Sequence, residues 1–222
     1  MEPPSLSESF IRRARESPRR SGIDAALRVL DVALSLLFLV IAAIPMLVIT
    51  LAILATTGRP VLYRGQRVGS FYTMFKFRTL RGGAEDRLGP FLGDELVRRT
   101  REERTTVGRW LRATQLDELP QLFNVVRGDM SLVGPRPIRP IFFEQLAAEL
   151  PAYWQRLVVR PGLTGFAQVR RGYETSMADK LAHDLEWIAD RSVGLYLRTL
   201  GATVVRVLQQ AVRGAVRPTK VD

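Results

Sequence analysis

The chain contains no cysteine and a single histidine, His183, in 222 residues. The first absence excludes disulfides, thiol nucleophiles and cysteine–zinc sites. The second excludes a histidine metal cluster, and any Ser–His or His–carboxylate system would have to use His183. Lysine is also scarce: of 33 cationic residues 30 are Arg, against 22 Asp plus Glu, for a net charge of +11. Chemistry in such a chain falls to carboxylates, cations or a bound ion. Arg grips phosphate with a planar fork that Lys lacks, so anionic lipid, nucleic acid and a phosphorylated substrate all remain as partners. With 46% apolar and 25% charged residues, the chain is neither wholly disordered nor a multi-span transporter. Its length suits one domain with an appendage.

Charge is missing altogether from Val32 to Gly58, a run of 27 residues. As a straight helix this run would reach about 40 Å, more than the roughly 30 Å of a bilayer's hydrocarbon core. A spanning helix is one reading. Pro45 near its middle removes a backbone donor, and Arg flanks both ends without the bias to one side that a spanning helix shows. A re-entrant helix broken near Pro45, its break covered by Ser35 or by neighbouring helices, is the other reading. Residues alone leave the two balanced. The run is too long for a cleaved signal peptide, and no A-x-A site follows it.

The chain is expected to divide into a polar, Arg-rich arm over 1–20, a membrane-inserted helix broken near Pro45 over 21–58, a catalytic domain over 59–190, and an amphipathic C-terminal helix and tail over 191–222. Residues 61–63 and 72–77 read as short strands, with Gly65 and Gly69 as turns. Residues 81–100 read as a mobile loop or short helix. Leu116 to Val126 reads as one helix with Leu119, Leu122, Phe123 and Val126 on its apolar face and Pro120 in its first turn. Residues 131–137 read as a rigid loop, 141–150 as a helix, 164–169 as a strand and 179–190 as a helix. Leu197, Leu200, Val204, Val207 and Leu208 line one face of the last segment, which suits either the body or a membrane surface.

Asp117 and Glu118 form the most informative acidic site. Simple capping explains an isolated Asp-Glu at a helix start. Here Lys76, Arg78, Arg112, Arg127 and Arg136 surround it in dense, motif-like stretches. Two carboxylates among cations suit phosphoryl chemistry: one attacks phosphorus, a divalent ion screens charge, and Arg or Lys holds the phosphate oxygens.

These residues fall within a series of motifs in fixed order. Asp31-x-x-x-Ser35 is followed by Gly58-Arg59-Pro60-Val61-Leu62-Tyr63-x-x-Gln66-Arg67-x-Gly69 and by Phe75-Lys76-Phe77-Arg78-Thr79. Then come Leu116-Asp117-Glu118-Leu119-Pro120-Gln121-Leu122-Phe123-Asn124-Val125 and Arg127-Gly128-Asp129-Met130-Ser131-Leu132-Val133-Gly134-Pro135-Arg136-Pro137. Arg160-Pro161-Gly162-Leu163-Thr164-Gly165-Phe166-Ala167-Gln168-Val169 closes the series. From about residue 31 to about residue 200 the chain resembles the bacterial sugar transferases of the monotopic phosphoglycosyl transferase family, the polyprenyl-phosphate hexose-1-phosphate transferases.

The resemblance implies an α+β fold: an N-terminal re-entrant, Pro-broken membrane helix on a compact cytoplasmic mixed α/β catalytic domain with amphipathic surface helices. It implies transfer of a sugar 1-phosphate from a nucleotide diphospho-sugar, usually UDP-linked, to polyprenyl phosphate with release of UMP. Asp117 would be the nucleophile and, with Glu118, would hold Mg²⁺. Lys76, Arg78, Arg112, Arg127 and Arg136 would clamp phosphate, with Asp129 orienting an Arg. The implied place is the bacterial inner (cytoplasmic) membrane, with the catalytic domain facing the cytoplasm. The implied partners are the nucleotide-sugar, polyprenyl phosphate and membrane lipids, with no nucleic acid; a homodimer is left open. The chain departs from the family pattern at Ile44, where Ser commonly precedes the proline, at Arg59-Pro60, at Phe166 in place of Trp, and at His183. A membrane-anchored scaffold without enzyme activity is the alternative. A metal-dependent phosphatase would differ from the transferase in releasing free sugar phosphate.

Overall fold

A computed structural model describes residues 12, 16, 21–69, 72–88, 91, 93–171 and 176–216. The arm expected over 1–20 thus lies almost entirely outside the described residues. The first element, α1, is one helix over Ser21–Thr57 with Pro45 inside it. Helical structure continues through the proline, so the expected break is not an interruption of secondary structure. Nor does Ser35 cover it: its hydroxyl is fully buried and finds no hydrogen-bond partner among the described residues. The helix is long and apolar enough to cross a membrane, and most of its apolar stretch is exposed. Leu36, Leu37, Val40, Ile41, Ile44, Leu47 and Val48 all face outward.

Both ends of α1 are fastened to the same body. Near the start, Asp24 pairs with Arg191 at 2.8 Å, and Arg28 donates to the carbonyls of Val125 (2.5 Å) and Val126 (2.8 Å). Asp31 is buried and accepts from Ser131 Oγ (2.9 Å), Leu132 N (2.8 Å) and Tyr196 Oη (2.8 Å). Near the end, Ile49 and Ile53 pack in a core with Phe77 and Leu111. The last carbonyls are capped by Arg78, whose Nη2 donates to Thr57 O (2.7 Å), Thr57 Oγ1 (2.8 Å) and Gly58 O (2.7 Å). Helix ends leave such carbonyls unpaired, and a cation there also suits the helix dipole.

The body is α+β and mostly helical. Strands β1 (Leu62–Arg67) and β2 (Tyr72–Phe77) form an antiparallel hairpin, with Leu62 opposite Phe77 and Arg67 opposite Tyr72. Gly65 therefore sits within a strand, not at a turn. Helices α2 (Ala84–Leu88), α3 (Gly93–Glu102) and α4 (Thr106–Thr114) follow. Thr105 caps α4 by accepting from Gly108 N at 2.9 Å. Gly108 brings α4 against the chain after β2, since a Cβ there would stand 2.0 Å from the Thr79 carbonyl oxygen.

The helix expected over 116–126 is two elements. Leu116–Glu118 is a 3₁₀ turn entered through Gln115 in the left-handed region, and α5 runs from Gln121 to Arg127 with Pro120 as its N-cap. Proline has no N–H to give an intrahelical bond, so the regular α-helix begins after it and not before. The buried face of α5 is Gln121, Leu122, Asn124 and Val125, while Phe123 is half exposed. The expected loop at 131–137 opens with strand β3 (Ser131–Val133), which pairs in parallel with β4 (Gly162–Thr164). Gly162 makes that approach feasible, because a Cβ would lie 2.1 Å from Gly134 N. Between them run α6 (Pro140–Glu149) and a 3₁₀ stretch over Pro151–Val158. The strand expected over 164–169 is instead β4 followed by α7 (Phe166–Arg171). Helices α8 (Met177–Asp190) and α9 (Val193–Val216) complete the fold. In α9, Tyr196 and Thr199 are buried while Leu197, Val204 and Val205 are exposed, so this helix packs on the body and shows an apolar face outward.

Candidate active site

Three elements bring the site together. Strand β2 supplies Lys76, the end of α4 supplies Arg112, and the 3₁₀ turn supplies Asp117 and Glu118. Lys76 Nζ donates to Glu118 Oε1 at 2.6 Å, and Arg136 Nη2, from the segment after β3, donates to the same oxygen at 3.2 Å. Burial pushes the Glu118 carboxyl up, but Arg136 and Lys76 together outweigh it and hold it below the usual Glu range. Burial pushes Lys76 down and Glu118 draws it back up. Glu118 is thus an anchored carboxylate, fixed by two cations.

Asp117 is placed differently. It is buried, and among the described residues no side chain donates a hydrogen bond to it. Burial raises its carboxyl above the usual Asp range, opposed by Lys76, assisted by the like charge of Glu118, and opposed again by Arg112. Arg112 is held by Thr79, its Nε donating to Oγ1 at 3.1 Å. The 3₁₀ turn therefore carries one anchored carboxylate beside one that is desolvated and held by no side-chain donor among the described residues. That contrast suits a supporting group next to a nucleophile.

Of the expected phosphate clamp, the structure gathers Lys76, Arg112 and Arg136. Arg78 is elsewhere, capping α1. Arg127 and Asp129 lie at the far end of α5, where Arg127 Nε donates to Asp129 Oδ2 at 2.6 Å and Asn124 Nδ2 donates to the same oxygen at 3.0 Å. Asp129 orients an Arg there, but away from Asp117. His183 pairs with Glu186 (3.2 Å) and meets the edge of Phe166.

Two residues were not singled out from the sequence. Arg104 feels the charges of Arg112 and Asp117, and its Nε is buried without a hydrogen-bond partner. Its signal lay in the stretch Arg104-Thr105-x-x-Gly108, where the capping Thr and the tight Gly fix the start of α4. Gln121 is almost fully buried and its Nε2 is likewise unpartnered. With Lys76, Glu118, Arg136, Arg139 and Phe142 it lines a cavity of about 540 Å³. The unpartnered Gln121 amide and the cations Lys76, Arg136 and Arg139 in the wall of one cavity suit a phosphorylated ligand.

Among the described residues no group of three or more His, Asp or Glu gathers as a metal cage. Asp117 and Glu118 are the acidic donors at the site. That set fits Mg²⁺, which takes one or two protein carboxylates and otherwise prefers substrate phosphates and water.

The profile of the family described as bacterial sugar transferase matches residues 23–210. The UDP-glucose:undecaprenyl-phosphate glucose-1-phosphate transferase of Caulobacter vibrioides is 39% identical over 199 residues, covering 85% of this chain and 72% of that protein. The UDP-N-acetylgalactosamine-undecaprenyl-phosphate N-acetylgalactosaminephosphotransferase of Aeromonas hydrophila is 38% identical over 155 residues, 67% of this chain and 36% of that protein. The undecaprenyl-phosphate galactose phosphotransferase of Salmonella typhimurium is 37% identical over 155 residues, 64% of this chain and 32% of that protein. The chain thus spans about a third of the length of the latter two. The match covers both the apolar helix and the site on β2, α4 and the 3₁₀ turn, and the chain belongs to the bacterial sugar transferase family.

Proposed function

We propose that the chain is a phosphoglycosyl transferase, moving a sugar 1-phosphate from a UDP-linked sugar to a polyprenyl phosphate. The observation that carries this reading is the unequal carboxylate pair, Asp117 desolvated and held by no side-chain donor among the described residues beside Glu118 locked to Lys76 and Arg136. An Asp117 carboxylate oxygen attacks the phosphorus that bears the sugar, and the bond from that phosphorus to the bridging oxygen breaks. UMP leaves with the bridging oxygen and its electron pair. A phosphate oxygen of the polyprenyl phosphate then attacks the same phosphorus and expels Asp117, giving a polyprenyl diphospho-sugar. Two steps at one carboxylate let a water-soluble donor and a membrane-bound acceptor use one site in turn.

Lys76, Arg112, Arg136 and Arg104 offset the charge of the diphosphate as a carboxylate approaches it. Glu118, fixed by its two cations, and Asp117 would hold Mg²⁺, which would supply charge screening at the phosphate oxygens. The donor sugar differs among the relatives, whose names carry glucose, galactose and N-acetylgalactosamine.

The reading places α1 in the membrane as a re-entrant element at the cytoplasmic face of the bacterial inner membrane, where nucleotide-sugars reach the site. Its support is the fastening of both helix ends to one body: Asp24, Arg28 and Asp31 at the start, Ile53 and Thr57 at the finish. A spanning helix would carry those ends to opposite faces of the bilayer.

Purified protein in detergent with UDP-sugars, Mg²⁺ and undecaprenyl phosphate tests the reaction. UMP release, a lipid-linked sugar diphosphate, and exchange of labelled UMP into UDP-sugar without lipid are the expected results. Release of free sugar phosphate at the same rate with and without lipid would make the protein a hydrolase instead.

A further inference from the structure

A second cavity, of about 340 Å³, adjoins the cavity lined by Lys76, Gln121 and Arg136, which the transferase reading gives to the nucleotide-sugar donor. Glu118 and Leu163 line both. The walls of the second are otherwise mostly apolar: Leu119 and Leu122 from the site and the start of α5, Phe38 from α1, and Leu200 and Val204 from α9. At the outer side Val204 is 52% exposed, as are Leu37 (52%) and Ile41 (65%) on α1 beside Phe38. The cavity therefore runs from Glu118, the neighbour of Asp117 in the 3₁₀ turn, to the outward apolar faces of two helices.

We propose that this cavity holds the isoprene units next to the phosphate of the polyprenyl acceptor, so that donor and acceptor meet at Glu118, where the two cavities share a wall. The proposal rests on the transferase reading above. A polyprenyl phosphate joins an anion to a long apolar chain, and its binding path must pass from cations and carboxylates to lipid without crossing water. The cavity begins at Glu118, which Lys76 and Arg136 hold from the adjoining cavity, and ends at exposed apolar side chains. A second apolar groove, lined by Pro45, Val48 and Trp110, reaches Leu116, but no charged side chain lines it. The donor cavity, with Arg67, Lys76, Arg136 and Arg139 in its walls, suits a nucleotide diphosphate and not a hydrocarbon chain.

Val204→Trp fills the cavity from its exposed edge, and Val205→Trp, on the neighbouring exposed position, serves as control. Each variant is assayed for exchange of labelled UMP into UDP-sugar without lipid, and for transfer to undecaprenyl phosphate. Geranyl phosphate, which dissolves in detergent, is added as acceptor or competitor. Val204→Trp is expected to lower kcat/KM for undecaprenyl phosphate at least about tenfold, the effect of withdrawing about two methylene groups from apolar contact. Geranyl phosphate weakens in parallel, exchange stays within about twofold of the parent, and Val205→Trp changes none of these by more than about twofold.

Unchanged acceptor kinetics in Val204→Trp, or an equal loss in Val205→Trp, would overturn the assignment. So would a loss with undecaprenyl phosphate that spares geranyl phosphate, since Val204 would then act only by seating α9 in the membrane. Exchange serves as the folding control: if it falls as far as transfer in Val204→Trp, the cavity has no separate acceptor role. Absence of exchange in the parent protein would bring down the transferase reading and this inference with it.

Discussion

Asp31 and Asp117 are both buried, yet they are built in opposite ways. Asp31 Oδ1 accepts from the Ser131 hydroxyl, the Leu132 amide and the Tyr196 hydroxyl, all within 2.9 Å. Those three donors come from β3 and α9, so the carboxylate ties α1 to two other elements at once. Asp117 has the charges of Lys76 and Arg112 nearby and no side-chain donor among the described residues. A buried carboxylate surrounded by donors is part of the framework. One left without them costs stability, and what it retains is reactivity. Burial alone does not distinguish the two; the count of donors does.

The sharpest way to break the comparison is to neutralise each aspartate in turn. Asp117→Asn should lower UMP release and UMP exchange by at least about 10³-fold, as for loss of a covalent nucleophile. It should not lower the melting temperature in detergent. Asp117's carboxyl is raised above its unfolded value, so the folded state holds the extra proton and stability falls as pH rises through that interval. At neutral pH the charged Asp117 is a burden that Asn removes. A variant that keeps its activity, or that unfolds early, would put Asp117 with Asp31 as a framework group.

Asp31→Ala should do the reverse. It strands three buried donors, each of which costs about 1–3 kcal/mol when left unpaired. The thermal midpoint in detergent should drop sharply, while exchange per folded molecule stays near the parent value. A specific loss of exchange without a loss of stability would show that Asp31 reaches the chemistry.

A smaller effect separates the sites by pH. Exchange should fall on the acid side through a pKa above the roughly 3.9 of an ordinary Asp, because only ionised Asp117 attacks. Arg112 holds that pKa down, so Arg112→Gln should move the acid limb to higher pH. A limb that stays in place or moves to lower pH would mean that another group sets it.

How far the sequence foretold this contrast can be read from the same residues. Asp117, Glu118, Lys76, Arg112 and Arg136 stood out through motif and charge, because phosphoryl chemistry restricts which side chains serve. Arg78 and Arg127 stood out for the same reason, and the fold uses them at helix ends. A guanidinium fork fits a row of carbonyls or a carboxylate as readily as a phosphate, so residue type could not separate those duties. The α1 helix was legible from its charge-free run, though not its continuity through Pro45; β2, α6 and α8 were legible as elements, and β1 only at its start, since Gly65 read as a turn. The 3₁₀ turn, α7 and the three-residue strands β3 and β4 were not, since elements so short carry no period and form through backbone contacts distant in sequence. Asp31 was visible only as the start of a motif. Its partners Ser131 and Tyr196 lie 100 and 165 residues away, and nothing local announces such a bond.

The finest test of the comparison removes one donor and leaves the rest. Tyr196 is fully buried and its hydroxyl is 2.8 Å from Asp31 Oδ1. Tyr196→Phe keeps the ring in the core and deletes that hydrogen bond alone. Ser131 Oγ and Leu132 N still hold Asp31, so the carboxylate remains tied to β3 and loses its direct tie to α9. The expected cost is about 1.5–3 kcal/mol, the range for a hydrogen bond to a charged group, read as a lowered thermal midpoint smaller than that of Asp31→Ala. UMP exchange should stay within about twofold of the parent, because no reacting atom is touched. Combining Tyr196→Phe with Asp31→Ala should cost clearly less than the sum of the two single losses, since the second change then removes a bond already absent. Full additivity would mean that Tyr196 stabilises α9 by some other contact and that Asp31 is not the centre through which α1, β3 and α9 are joined.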